Sequence, residues 1–354
     1  MRYYKSAQEL LLPVSPINEI HGFELILHKQ HYYFYGGETP NNRATSARLA
    51  RGKYFTNQTL KKAGIPVPQA ILLSKQEFME HKTSRVLSSL KFPIVIKPLD
   101  KSEGTGVVCN IQSPNELEEM LIEHFHSYNL AIIEAFHSNL QSYRVLVFNQ
   151  RVIGIVLRHP PQVIGDGTHN IKELCELAND ARKKLNPYLG LINLGYEAQI
   201  RLKEIGIDEH YIPKDKEHVV LGYTSNATRG GTFETVNQRL GKENHKLMVR
   251  VAQTLGLNLV GIDVQCANLQ TPIQGANGVI LEANEVPSIR IHELPMQGRP
   301  QMVTRKIMRS FIYRHPFAYL YSLYFNKRSS FYVRCFIIIL IIALLYILIA
   351  QRII

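Results

Sequence analysis

The sequence predicts an α/β protein, of the α+β kind, in which short apolar strands are separated by amphipathic helices. Apolar runs of strand length occur at residues 94–96 and 107–111, with glycines between them. Helical periodicity extends through residues 171–185 and 243–255, and Gly256 follows the second stretch as a stop signal. With 354 residues, of which 45% are hydrophobic, the chain can bury one large core or two small ones.

The four cysteines do not indicate a metal site or a disulfide framework. Cys109, Cys175, Cys266 and Cys335 lie far apart, and no Cys-x-x-Cys pair occurs. This spacing argues against a zinc ribbon and fits a reducing compartment.

The positive charge is concentrated at the C-terminus. The formal net charge is +12, but residues 294–354 contain nine Lys or Arg residues and no Asp or Glu, which leaves only +3 for the rest. A basic segment of this kind favours a membrane surface as partner and argues against nucleic-acid binding along the whole chain.

The stretch 92–107 combines an apolar strand, a lysine and a loop with two glycines. Lys97 follows the run 94–96, and Gly104 and Gly106 precede the next strand. A glycine-rich loop lets backbone N–H groups close over a phosphate, and a lysine at a strand end supplies a positive charge for it. The spacing is that of neither a P-loop nor a dinucleotide fingerprint. By itself, the stretch is equally compatible with an ordinary hairpin.

Two further apolar strands carry polar side chains where a buried strand would be apolar. Asp263 interrupts the run 259–266, and Glu282 and Asn284 end the run 278–284. Local rules are broken in this way at functional sites. Glu282 and Asn284 face the same side of one strand, and Asp263 can oppose them from its neighbour. Such oxygen ligands suit hard cations such as Mg²⁺, and a chance salt-bridge cluster is the alternative.

Five motifs occur in a fixed order along the chain. They are Lys-Pro-Leu-Asp with the glycine-rich loop at 97–106, Arg-His-Pro-Pro-Gln-Val-Ile-Gly-Asp-Gly at 158–167, Asn-Ala-Thr-Arg-Gly-Gly-Thr at 226–232, Gly-Ile-Asp-Val at 261–264 and Glu-Ala-Asn-Glu-Val-Pro at 282–287. Together they resemble the ATP-grasp ligases over roughly residues 44–312, in particular the ATP-binding domain of cyanophycin synthetase and related amino-acid ligases. The third motif is also similar to that of ribosomal-protein glutamate ligases. The resemblance implies an ATP-grasp fold, in which two α/β subdomains grip ATP between antiparallel sheets.

The resemblance assigns a set of residues to ATP. Two lysines would hold its phosphates, the loop 102–106 would close over them, and the hinge 134–136 would bind adenine through its backbone. The assigned residues are Lys53, Lys97, Ser102, Gly104, Thr105, Gly106, Glu134, Ala135, Phe136, Arg158 and Asn226. A solvated helix lysine is the alternative for Lys53, and a rim carboxylate without a ligand role is the alternative for Glu134. Without the resemblance, Arg158 is an ordinary surface arginine.

The same resemblance assigns metal and catalytic roles. Asp263, Glu282 and Asn284 would hold two Mg²⁺ ions, with Mn²⁺ as an alternative. Arg229 and Arg290 would stabilise the transferring phosphoryl group and the acyl phosphate. A plain polar turn is the alternative for the motif that contains Arg229.

The function that the resemblance implies is an ATP-dependent carboxylate–amine ligase, an enzyme of the carbon–nitrogen ligase class. An amino acid or small peptide would be joined to an amine through an acyl phosphate, with release of ADP and phosphate. Cyanophycin synthetase has a further ligase domain that this length does not accommodate, so the expected product is smaller than a polymer. No nucleic-acid partner is expected, and homo-oligomers are usual in the resembled family. The alternative is a membrane-anchored ATP-binding regulator without turnover.

The C-terminal tail predicts a membrane anchor. Residues 336–350 are continuously apolar and have basic residues on both sides. The predicted organisation is a β-rich segment at 1–43, the ATP-grasp domain at 44–312, a basic and aromatic juxtamembrane segment at 313–330 and a transmembrane helix at 331–354. The basic flank places the catalytic domain in the cytoplasm and makes membrane lipid a partner. A buried core helix is the alternative.

Overall fold

The structure is a computed structural model that describes residues 2–99, 104–138, 140–185, 189–237, 239–273 and 278–350. The helices are α1 (Arg2–Glu9), α2 (Ala44–Arg51), α3 (Lys53–Lys62), α4 (Lys75–Met79), α5 (Ser84–Ser89), α6 (Pro114–Ser127), α7 (Ile171–Leu185), α8 (Tyr196–Glu204), α9 (Lys242–Thr254), α10 (Arg290–Glu293), α11 (Val303–Arg314), α12 (Pro316–Phe325) and α13 (Phe331–Ala350). The strands are β1 (Val14–Ile17), β2 (Gly22–Leu27), β3 (Gln30–Phe34), β4 (Ala70–Ser74), β5 (Ile94–Pro98), β6 (Val108–Ile111), β7 (Leu130–Ala135), β8 (Gln141–Phe148), β9 (Arg151–His159), β10 (Gln162–Ile164), β11 (His218–Val220), β12 (Thr232–Thr235), β13 (Leu259–Cys266) and β14 (Gly278–Asn284).

Contacts divide the described residues into two units. The first contains those of 1–41, 288–293 and 301–354, and the second those of 42–287 and 294–300.

The first unit is built on an antiparallel sheet in the order β1-β2-β3. Phe23 and Phe34 pair across β2 and β3, and their rings stack with centroids 4.3 Å apart. Phe311 of α11 packs on Phe34 with centroids 5.8 Å apart. Large aromatic side chains bury much apolar area, so this cluster ties α11 to the sheet.

A buried carboxylate links α1 to α11 in this unit. Glu293 of α10 pairs with Arg2 of α1 at 2.9 Å and accepts a hydrogen bond from the backbone N–H of Thr304 at 2.8 Å. A buried charge needs partners of this kind, because an unpaired one is costly.

The second unit contains two larger antiparallel sheets. The four-stranded sheet, in the order β4-β7-β5-β6, packs against α5 and α6. The five-stranded sheet, in the order β12-β9-β8-β13-β14, packs against α9 and α3. A small sheet of β10 and β11 shares a third core with α7 and α8. Each helix covers one sheet face, so the opposite face is available for polar side chains.

Several elements have clear local signals in the sequence. The hairpin of β8 and β9 turns at Asn149 and Gln150, whose φ values of 45° and 60° suit the two-residue turn that matches strand twist. The helix predicted at 171–185 is α7, and α6 begins after Ser113, whose side chain accepts from the Glu116 N–H.

Two predicted site residues lie at the start of helices. Lys53 begins α3, which Gly52 separates from α2 through its extended backbone (φ −82°, ψ 92°). Arg290 begins the short helix α10.

The prediction of a C-terminal transmembrane helix is wrong. Over the described ranges, no helix is long and apolar enough to cross a membrane. The predicted membrane anchoring depended on this span and is wrong for the same reason. The membrane-lipid partner has no support either.

Candidate active site

The five-stranded sheet has one apolar face and one polar face. Side chains alternate along a strand, and on β13 Val260 and Ile262 are buried in the core formed with α9. Asp263 therefore projects from the opposite face. The register places it opposite Arg144 of β8 on one side and opposite Glu282 of β14 on the other. One arginine and two carboxylates thus form a row across three strands.

Two arginines hold the Asp263 carboxylate. Arg144 donates from Nε to Oδ1 at 2.6 Å and from Nη2 to Oδ2 at 2.7 Å. Nη1 of Arg158, on β9, lies 3.1 Å from Oδ2, and its Nη2 donates to the Ser142 hydroxyl at 3.0 Å. Bidentate arginine–carboxylate pairs are among the strong charge-assisted hydrogen bonds, so Asp263 has a fixed orientation.

Burial disfavours the charged forms of Asp263, Arg144 and Arg158. It works to raise the pKa of Asp263, but attraction by Arg144 and Arg158 and their hydrogen bonds leave that pKa below its ordinary value. Burial works to lower the pKa of Arg144, and the attraction of Asp263 outweighs it, so the pKa is raised. For Arg158 burial prevails and the pKa is lowered, with repulsion by Arg144 contributing. The positive charge of Arg158 is therefore less well compensated than that of Arg144. Its Nε is buried and has no hydrogen-bond partner in the described part of the chain.

The three metal candidates lie on the adjacent strands β13 and β14. Asn284 is two residues beyond Glu282 and therefore on the same face. Its Nδ2 lies 3.4 Å from the Gly261 carbonyl, so its amide oxygen is the atom available to a cation. Within the described residues, no group of three or more His, Cys, Asp and Glu side chains could hold a metal ion, so a site here depends on Asn284 as third ligand. A carboxylate has about four acceptor positions, so Asp263 can bind a cation beside Arg144, and the oxygen donors fit Mg²⁺.

The four-stranded sheet directs Lys97 and Glu134 away from its own core. On β5, Ile94 and Ile96 are buried against α6, so Lys97 points from the other face. Its Nζ lies 2.5 Å from Oε2 of Glu134 on β7, and both side chains are largely buried. The ion pair holds the lysine at the strand end that leads into the glycine-rich loop.

The hinge after β7 has its first two amide donors in use. The N–H of Ala135 donates to the Gln69 carbonyl at 3.0 Å, and that of Phe136 donates to the Pro93 carbonyl at 3.0 Å. Among the described residues, the next N–H, that of His137, has no acceptor. The predicted contact between this hinge and adenine stays a prediction.

The glycines of the loop adopt the conformation for which glycine is suited. Gly104 has a φ of +78° and Gly106 a φ of +70°, with Thr105 between them. A Cβ on Gly106 would lie 2.9 Å from the Tyr128 hydroxyl oxygen. Ser102, also predicted to contact phosphate, lies outside the described residues.

A short 3₁₀ turn at residues 227–229 presents Arg229. Asn226 caps the turn, because its Oδ1 accepts from the Thr228 N–H at 3.1 Å. Gly230 follows with a φ of +85°, and a Cβ there would lie 2.7 Å from the Ile192 Cα. Asn226 is therefore seen in a structural role here, and its predicted nucleotide contact stays a prediction.

The Arg229 guanidinium joins two segments. Its Nη1 donates to the Gly104 carbonyl at 3.0 Å, and its Nη2 lies 3.1 Å from Oε2 of Glu197 on α8. The predicted catalytic arginine and the predicted phosphate loop are therefore in contact.

Lys53 and Arg290 are the remaining predicted residues. Lys53 begins α3, which packs against β14, the strand that carries Glu282. Arg290 begins α10 in the first unit. Their roles stay predictions.

The sequence did not single out Arg144, His137 or Glu197. Arg144 could have been found by the signal that identified Asp263, a charged residue in an apolar strand. Glu197 lies in the stretch 186–216, whose irregular pattern predicted no element.

Comparisons with known proteins agree with the motifs. Residues 59–156 match the family model described as D-ala D-ala ligase C-terminus. A cyanophycin synthetase from Crocosphaera subtropica is 31% identical over 268 residues, which cover 74% of this chain and 30% of that protein. The glutathione biosynthesis bifunctional protein GshAB of Pasteurella multocida is 27% identical over 286 residues, 77% of this chain and 37% of that protein.

The fold also has a counterpart among solved structures. The crystal structure of a bifunctional glutathione synthetase from Pasteurella multocida matches with a TM-score of 0.60 at 23% identity, covering 87% of this chain and 43% of that one. These matches confirm the resemblance predicted from the motifs. The chain spans only about a third of the length of the curated relatives, between 30% and 37% for the two described.

Proposed function

We propose that this chain is an ATP-dependent ligase that joins a carboxylate to an amine. Its similarity to the ATP-grasp ligases in sequence and fold supports this proposal. In the first step a carboxylate oxygen of the donor attacks the γ-phosphorus of ATP, and the bond to the β,γ-bridging oxygen breaks. The products are an acyl phosphate and ADP. In the second step the amine attacks the acyl carbon, phosphate leaves with the bonding electrons, and the amine proton is lost to give an amide.

The protein's part in both steps is to position groups and to neutralise charge. Lys97 and Lys53 would bind phosphate oxygens, with the loop 102–106 over them. Arg158 has a buried Nε–H that finds no partner in the described residues, which supports a role toward an anion. Arg229 and Arg290 would stabilise the phosphoryl group in transfer and the acyl phosphate.

Asp263, Glu282 and Asn284 would hold Mg²⁺. When bound, the ion withdraws charge from the phosphate oxygens. The role of this chain's residues is to keep those oxygen ligands on one face of β13 and β14.

The observation that carries the proposal is the polar row on the five-stranded sheet. Arg144, Asp263 and Glu282 lie side by side on the face opposite the core, and each is charged. A fold alone needs no charges there, and burying them is costly. A site for an anionic ligand with a cation explains both the residue types and the placement.

The relatives support a class of substrate for this chain and not a particular compound. Those proteins are named for cyanophycin and glutathione synthesis. We therefore propose an amino acid or small peptide as donor, and an amine of similar kind as acceptor. A protein or peptide terminus is included as acceptor.

The test is phosphate release from Mg-ATP by the 354-residue chain with a panel of amino acids and dipeptides. Glu282→Gln, which keeps the side-chain volume and removes the charge, is the control for the site. Release that requires one donor–acceptor pair and disappears in Glu282→Gln supports the ligase and names its substrates. Binding of ATP without release from any pair favours a nucleotide-binding regulator instead. Release that is unchanged in Glu282→Gln or Lys97→Ala contradicts the site.

A further inference from the structure

One carboxylate of helix α8, that of Glu197, anchors the segment that carries Arg229. Oε1 of Glu197 accepts from the backbone N–H of Tyr223 at 2.6 Å and from that of Thr224 at 3.0 Å. The Thr224 hydroxyl lies 3.3 Å from the same oxygen. These contacts fix the backbone five residues before Arg229.

The other oxygen of Glu197 faces the arginine itself. Oε2 lies 3.1 Å from Nη2 of Arg229, whose Nη1 donates to the Gly104 carbonyl at 3.0 Å. The guanidinium is held at both terminal nitrogens, by α8 on one side and the glycine-rich loop on the other. An arginine has five N–H donors in a planar fork, so three remain for a ligand once these two are used.

Cys109 on β6 lies within the electrostatic reach of this cluster. Burial raises the pKa of its thiol to about 12, and the negative charge of Glu197 contributes to the increase. The thiol therefore stays protonated at neutral pH and adds no charge near Arg229.

We propose that Glu197 is a positioning residue for Arg229, which it holds in the orientation that meets the phosphates of bound nucleotide. The inference rests on the proposed function, since it requires that Arg229 contacts ATP. A long flexible side chain loses conformational freedom when it binds, and a carboxylate that has already ordered it reduces that loss. Glu197 does not touch substrate in this proposal and acts through Arg229.

A purely structural role is the competing explanation, in which Glu197 serves only the Tyr223 and Thr224 amides. Glu197→Gln separates the two explanations, because its Oε1 still accepts from those N–H groups while the charge facing Arg229 is lost. The matched control is Glu204→Gln, two helical turns along α8. Glu204 accepts from Asn110 Nδ2 at 2.6 Å and from Arg201 at 3.0 Å, and it also binds the Tyr223 hydroxyl.

The experiment is a double-mutant cycle in the 354-residue chain, with the Kd of Mg-ATP measured by calorimetry. Glu197→Gln is expected to weaken binding roughly three- to tenfold in the wild-type background, and by less than about twofold in the Arg229→Met background. Glu204→Gln is expected to have the same effect in both backgrounds. Melting temperatures of all variants show whether they are folded.

The outcomes separate this inference from the function it rests on. Equal weakening by Glu197→Gln with and without Arg229, or tighter binding in that variant, overturns the positioning role while the ligase proposal stands. Failure of the folded wild-type chain to bind Mg-ATP overturns both.

Discussion

Arg144 and Asp263 face each other across β8 and β13 and share two hydrogen bonds, at 2.6 and 2.7 Å. The side chains are 13% and 7% exposed, so water screens this pair little. The pair therefore sets the position of a predicted metal ligand and also determines how costly its disruption is.

Arg144→Met is expected to destabilise the protein by about 3–5 kcal/mol, because it leaves a buried carboxylate with only Arg158 as counter-ion. Arg144→Lys restores the charge but cannot form the two-point contact, so an intermediate loss is expected. Urea unfolding followed by circular dichroism measures both. The control is Lys183→Met, which removes an exposed ion pair with Asp180 at 3.3 Å and should change stability by less than about 1 kcal/mol. Equal losses at the two sites would contradict the role assigned to the Arg144 pair.

Acidification is expected to destabilise the folded protein through Asp263. Its folded-state pKa lies below the ordinary value because Arg144 and Arg158 favour the carboxylate over the acid. The unfolded chain then binds more protons, so the contribution is complete above the unfolded pKa of about 3.9 and is lost as pH falls below it toward the folded value.

Unfolding free energies of wild type and Asp263→Asn between pH 3 and pH 6 test this. The difference between the two proteins should shrink steadily as the pH falls below about 4. A difference that stays constant across this range would show that the ionised Asp263 carboxylate does not carry the effect.

Much of the fold and part of the candidate site were predictable from the sequence. The parts that were predicted and the parts that were missed differ for a physical reason. The Asp263 and Glu282 row could be predicted because strand alternation is local and a charge in an apolar strand is visible in one dimension. The sequence could not show which hinge N–H groups are already hydrogen-bonded within the protein. The bond from the Ala135 N–H to the Gln69 carbonyl depends on how the neighbouring segment packs, which is not a local property of the sequence. Glu197 was missed because its partners, Tyr223 and Arg229, are distant in sequence and α8 begins in an irregular stretch.

Glu282→Gln is expected to weaken divalent cation binding in the presence of nucleotide at least tenfold, because the site loses one of its two carboxylates. Electron paramagnetic resonance of Mn²⁺ with ADP reports free and bound ion without any need for turnover. The control is Glu285→Gln, three residues along, whose carboxylate pairs with Arg51 at 2.5 Å and belongs to no predicted ligand set. Similar Mn²⁺ affinities in the two variants would remove Glu282 from the metal site.

Gly230→Ala is expected to disturb the turn that presents Arg229. Gly230 has a φ of +85°, and an added Cβ would lie 2.7 Å from the Ile192 Cα, a backbone atom that cannot rotate away. Backbone strain of about 1 kcal/mol and steric overlap of about 1–3 kcal/mol should add at this position. Gly206→Ala is the matched control, because Gly206 also has a positive φ, +75°, but its Cβ would meet nothing within 4 Å. We expect a loss of about 1 kcal/mol for Gly206→Ala and about 2–4 kcal/mol for Gly230→Ala in urea unfolding. Only Gly230→Ala should also weaken Mg-ATP binding, and equal ATP affinities in the two variants would contradict the role of this turn in the site.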